Sequence, residues 1–194
     1  MPDDPVANPY TKNDPLDGGH AEGMSIADCV KTSQMVTFAM AMGLLFVSGV
    51  MVFVAAGDAE FADLLAFNKD KQLLLGIGCV CTLIGVVASF VLRSLVRKQS
   101  MHSWLETNPQ VDLPISVDVP IPQAHKLLEG VTASNLIGAA LLEGPGVINA
   151  ILMMVNQYAL HLIPIAICFV CLLVKIPTIN GVKNYIETAI SENR

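Results

Sequence analysis

VTASNLIGAALLEGPGVINAILMMV, residues 131–155, decides the fold. The stretch carries a single charged side chain, Glu143, at its midpoint. As an α-helix it rises about 37 Å, more than the roughly 30 Å hydrocarbon core of a bilayer. We read it as a membrane span. Three further apolar blocks share that character. Residues 35–57 contain no charge, residues 72–92 end at Arg93, Arg97 and Lys98, and residues 158–174 are closed by Lys175, with Pro177 to stop the helix. The sequence therefore predicts an all-α membrane protein with four transmembrane helices arranged as two hairpins.

Composition agrees. Of the 194 residues 53% are hydrophobic and only 14% charged, against about 25% charged in a soluble domain. The deficit sits in the four blocks, which is how spans differ from one large core. A net charge of −6 and the lack of a basic patch interleaved with aromatics argue against nucleic-acid binding. The first apolar block begins behind an acidic tail, so no cleaved signal peptide is expected. Five cysteines lie mostly within the apolar blocks and read as small hydrophobes, with no disulfide framework.

Outside the spans, residues 1–34 read as a disordered tail, with Ser25 placed to cap an early helix start and Asp28 in its first turn. The transmembrane domain occupies 35–176, with a long polar connection over 93–130. Within that connection Val111, Leu113, Ile115, Val117, Val119 and Ile121 alternate with other residues, three of them prolines. This suits an extended linker, or an edge strand that docks on a partner. Residues 177–194 form an amphipathic tail. Ile179, Val182, Ile186, Ala189 and Ile190 fall at helical spacing there, as in a helix lying on a membrane surface.

Lysine and arginine set orientation. Lys31, Arg93, Arg97, Lys98, Lys126, Lys175 and Lys183 fall on one side, and only Lys69 and Lys71 on the other. Both termini are thus expected in the cytoplasm, in an inner membrane of bacterial type.

Glu143 is the one residue placed to carry chemistry. An acidic side chain at the centre of a span costs about 2.5–3.5 kcal/mol on insertion scales. Thr132, Ala139, Gly146, Ala150 and Gln157 share its side of the helix, and small residues there let a second helix approach closely. Pro145 removes a backbone donor and frees the carbonyl of Leu141, predicting a kink. Two readings stay open. Glu143 is structural, hydrogen-bonded to a neighbouring helix for which Thr82 and Ser89 are available, or it takes up and releases a proton. His161 is placed at the outer interface, out of reach of Glu143. No catalytic, metal or cofactor constellation is found, and no enzymatic activity is expected. The expected partners are the lipid bilayer and either a second copy or another membrane protein.

The run Ala139-Ala140-Leu141-Leu142-Glu143-Gly144, with Pro177-Thr178 after the last span, resembles a motif of small, uncharacterised bacterial four-helix membrane proteins. More distantly it resembles the carboxylate-bearing helix of the proteolipid c subunits of rotary ATPases. That likeness implies an ion-carrying role for Glu143, opposite Gly76, Gly78 and Gly85 of the second span. The chain departs from that pattern in its long connecting loop, its incomplete glycine repeat and its two additional spans.

Overall fold

The computed structural model describes residues 24–57, 69–107, 115–118 and 124–192. All regular structure among them is helical. Helices α1 (Ile26–Gly57), α2 (Lys69–Leu105) and α3 (His125–Asn156) are long. After α3 come a 3-10 turn (Ala159–His161), α4 (Leu162–Val174) and α5 (Ile179–Glu192). Three helices are long and apolar enough to cross a membrane, or four if the bent pair Ala159–Val174 and Ile179–Ser191 counts as one span.

Local chemistry accounts for the helix ends. Asp28 donates its backbone N–H to Ser25 Oγ at 3.1 Å, and Ser25 Oγ donates to Asp28 Oδ2 at 2.6 Å. The next orphan donor, the N–H of Ala27, bonds the carbonyl of Val117. At the far end of α3, Gln157 adopts the left-handed conformation (φ 46°, ψ 51°) and turns the chain toward α4.

Helix α3 is the hub. It packs against α2, α1 and α4, while α1 and α2 scarcely touch. The first two long helices therefore do not form a tight hairpin; α3 bridges them. Side-chain partners give the directions. Arg97 meets Ser134 and Lys71 meets Gln157, so α2 is antiparallel to α3. Cys29 meets Thr132 and Gly43 faces Glu143, so α1 runs parallel to it. The start of α1, the connection from α2 to α3, and α5 consequently gather at one end, the end rich in lysine and arginine.

Two cores result. Ala41, Leu44, Ala139, Leu142, Ala150, Ile165, Cys168 and Leu172 fill the space between α1, α3 and α4. Around them runs an outward apolar belt that includes Phe46, Phe53, Leu83, Ile84, Phe90, Ile148 and Ile163. A soluble protein would bury such a continuous surface. The second core lies at the basic end, where Ile26, Trp104, Leu127, Leu128, Val182 and Ile186 pack together with their neighbours.

Three sequence expectations change here. The tail assigned to 1–34 gives way to helix at Ile26, because Ser25 caps it early. The connection assigned to 93–130 is shorter, since α2 runs on to Leu105 and α3 starts at His125. Finally, Val182, Ile186, Ala189 and Ile190 of α5 bury against the protein's own helices instead of a membrane surface. Of the alternating stretch, residues 111–114 and 119–121 lie outside the described residues, as do residues 1–23 and 58–68.

Close helix approach makes a sharp test. A Cβ at Gly85 would lie 2.6 Å from the Leu141 carbonyl oxygen and 2.5 Å from Pro145 Cγ. A Cβ at Gly49 would meet nothing within 4 Å. Gly85→Ala should lower the thermal unfolding midpoint in detergent and reduce the folded yield. Gly49→Ala should stay within about 0.5 kcal/mol of the parent. Equal behaviour of the two would contradict the α2–α3 packing described.

Candidate intramembrane polar site

Glu143 sits on α3 between two exposed apolar groups, Leu136 and Ile137 on one side and Ile148 and Ile151 on the other. It is half-buried and faces α1, where a Cβ on Gly43 would lie 3.5 Å from its Oε1. Among the described residues its carboxyl has no hydrogen-bond partner. Thr82 and Ser89, the expected partners, do not bond it, and each accepts a hydrogen bond elsewhere. Thr82 bonds Asn149, and Ser89 bonds Lys175.

The residues grouped with Glu143 separate into two sets. Ala139, Gly146 and Ala150 are buried, and Gly146 is pressed by Leu44 of α1. Thr132 bonds the Leu128 carbonyl and meets Cys29 of α1 at 3.3 Å. That small-residue face is thus covered by α1 of the same chain and is not free to join a second copy. Pro145 points the other way, its ring toward Gly85 of α2. Helix α3 continues through it.

A second polar group escapes a reading of the sequence alone. Asn149, fully buried, sets the two N–H groups of its Nδ2 among three acceptors, the Pro145 carbonyl (2.9 Å), Thr82 Oγ1 (3.0 Å) and the Gly78 carbonyl (3.1 Å). Its Oδ1 is 3.1 Å from Nδ1 of His161, which is also fully buried. Because Asn149 offers an oxygen there, Nδ1 must carry the proton. The other ring nitrogen, Nε2, lies 3.5 Å from Asn156 Nδ2, which also donates to the Lys71 carbonyl at 2.9 Å. His161, at the end of the 3-10 turn that opens α4, is buried against α3. The signal is present as Asn149, Asn156 and His161 along one chain segment, with glycine at 78 to admit the amide.

No family model, no curated protein and no solved structure matches this chain. The site must be read from its own chemistry. Asn149 ties α2, α3 and the start of α4 together with its donors and acceptor fully used, which is a structural arrangement. Glu143 is the contrasting case, a carboxyl between apolar flanks that no described residue bonds. Among the described residues no cluster of histidine, cysteine and acidic side chains is suited to hold a metal ion.

Asn149→Leu should destabilise the protein by about 1–3 kcal/mol, since it strips partners from buried groups. A double-mutant cycle of Asn149→Ala with His161→Ala should return a coupling of about 0.5 kcal/mol or more. Purely additive losses would show that the contact between the two side chains contributes nothing.

Proposed function

We propose that the protein is a four-span inner-membrane protein with both termini in the cytoplasm and a structural or interaction role, binding a membrane partner through Glu143. Supporting the topology, the helix ends carrying most of the lysine and arginine gather on one side. Ala159 to Val174 rises roughly 24 Å with local bilayer thinning to match, and lies antiparallel to α3 as a fourth span would.

One observation carries the role. Glu143 is half-buried at apolar depth with no hydrogen bond to any described residue, although the chain satisfies Asn149 in full. A carboxyl in hydrocarbon is costly unless it is paired or neutralised. A transmembrane helix bearing a hydroxyl, amide or cationic donor would pair it. Ala140 and Gly144, exposed beside it, leave room for such a helix. The same open carboxyl favours a second reading, in which Glu143 takes up and releases a proton as part of an ion-linked component.

Two substitutions separate the readings. A photo-crosslinking residue at Ala140 or Gly144 should capture a partner in native membranes. Under the interaction reading, Glu143→Ala abolishes the crosslink and Glu143→Gln, which still bonds a donor, largely keeps it. Under the ion-linked reading, Glu143→Gln abolishes proton flux in liposomes with folding intact. Crosslinking that ignores Glu143→Ala would reject the first reading.

A further inference from the structure

Where the apolar belt ends, three cations meet. Arg93 follows the exposed Phe90, Val91 and Leu92 of α2, and Lys175 follows the exposed Leu173 and Val174 of α4. Asn135 of α3 precedes the exposed Leu136 and Ile137. Three helices thus change from apolar to polar at one level, the level where lipid headgroups begin.

The cations are held in place. Lys175, only 9% exposed, bonds Ser89 and sits 3.7 Å above the Phe90 ring. Arg97 donates to Ser134 Oγ at 3.2 Å and Asn135 Oδ1 at 3.4 Å, and stacks on Tyr185. Arg93 lies opposite Gly138 on the α2–α3 seam, its Cδ 3.8 Å from where a Cβ on that glycine would sit. The charges are close enough to act on one another, Arg97 on Arg93 and Arg93 on Lys175.

Among the described residues no carboxylate is paired with them. The described carboxylates near a basic side chain are Glu106 by His102, Glu129 by His125 and Glu187 by Lys183, and none of them reaches these cations. Two buried donors are also unused, Arg93 Nε and Asn135 Nδ2. The Asn135 assignment is fixed, because its oxygen accepts from Arg97. Partly buried cations that repel one another, beside donors lacking acceptors, call for an anion.

We propose that the Arg93–Arg97–Lys175 corner binds a phosphate-bearing anion, the headgroup of an anionic phospholipid. Lys175 and Arg93 neutralise the phosphate, and the unused donors on the α2–α3 seam fill its oxygens. Guanidinium groups suit such oxygens geometrically. Bound there, the lipid touches α2, α3 and α4 at once.

The test uses the full chain in mild detergent, with native mass spectrometry of competition between phosphatidylglycerol and phosphatidylcholine of matched acyl chains. We expect at least a tenfold preference for phosphatidylglycerol. It should collapse toward unity in the Arg93→Gln/Lys175→Gln double variant. It should persist in Lys175→Arg, which keeps the charge, and in Lys98→Gln, which removes an exposed charge nearby. Millimolar inorganic phosphate distinguishes the sources of the anion. Displacement of the lipid assigns the corner to free phosphate, persistence assigns it to the headgroup, and both retain phosphate recognition. No preference in the full chain would overturn the proposal. So would a preference that emerges only on deleting residues 1–23, whose acidic side chains would then be the anion. A loss in Lys98→Gln as large as in the double variant would overturn it too.

Discussion

Inside a bilayer no water stands ready to satisfy a stray polar group, so each one needs a partner from protein or lipid. Helix α3 carries that constraint. It holds Ser134, Asn135, Glu143 and Asn149, and α1, α2 and α4 each pack on it. Small residues mark the close approaches. Gly85 meets Pro145 and the Leu141 carbonyl, Gly78 meets Asn149, and Gly146 meets Leu44. Between helices in lipid, such close packing and hydrogen bonding take the place that hydrophobic burial holds in water. With Asn149 bonded to α2 and to His161, the register of three helices follows from one side chain.

Beyond the belt the physics changes. At the basic end, Trp104, Ile26, Leu127 and Ile186 form a core of the kind found in soluble domains. The C-terminal helix completes it, and Gln34 Nε2 donates to the Pro177 carbonyl at 2.9 Å, tying α1 to the segment that leads into α5. Tyr185 of α5 also donates to the Arg97 carbonyl at 2.9 Å. The cap and the membrane body are therefore joined through both α1 and α2. Arg97 sits at that junction and serves both.

The long spans are legible in the sequence because some twenty consecutive residues without charge are the length and chemistry that a bilayer demands. The Ser25 cap is legible because serine followed three residues later by aspartate is a local chemical device. The apolar face of α5 is legible by spacing, but not its target, since a stripe of isoleucines fits a lipid surface and a protein core equally well. The same ambiguity hides the covering of the α3 small face by α1. The end of α2 is not legible, because Arg93, Arg97 and Lys98 end the apolar run without ending the helix; no proline or glycine intervenes before Pro109. The burial of His161 is hidden because it depends on the chain reversal at Gln157 and the 3-10 turn after it, which hydropathy does not encode. Glu143 stands out by depth alone, and its lack of a bond can be seen only once its neighbours are in place.

Both roles open to Glu143 require an unbonded carboxyl in apolar surroundings. A hydrophobic carbodiimide reacts with protonated carboxyls in such places. Labelling of the purified protein in liposomes, with sites mapped by mass spectrometry, should modify Glu143 ahead of Glu106, Glu129 and Glu187. An intact helical protein in which Glu143 stays unmodified while those others react would contradict it, and would mean that the carboxyl is already held by a bond.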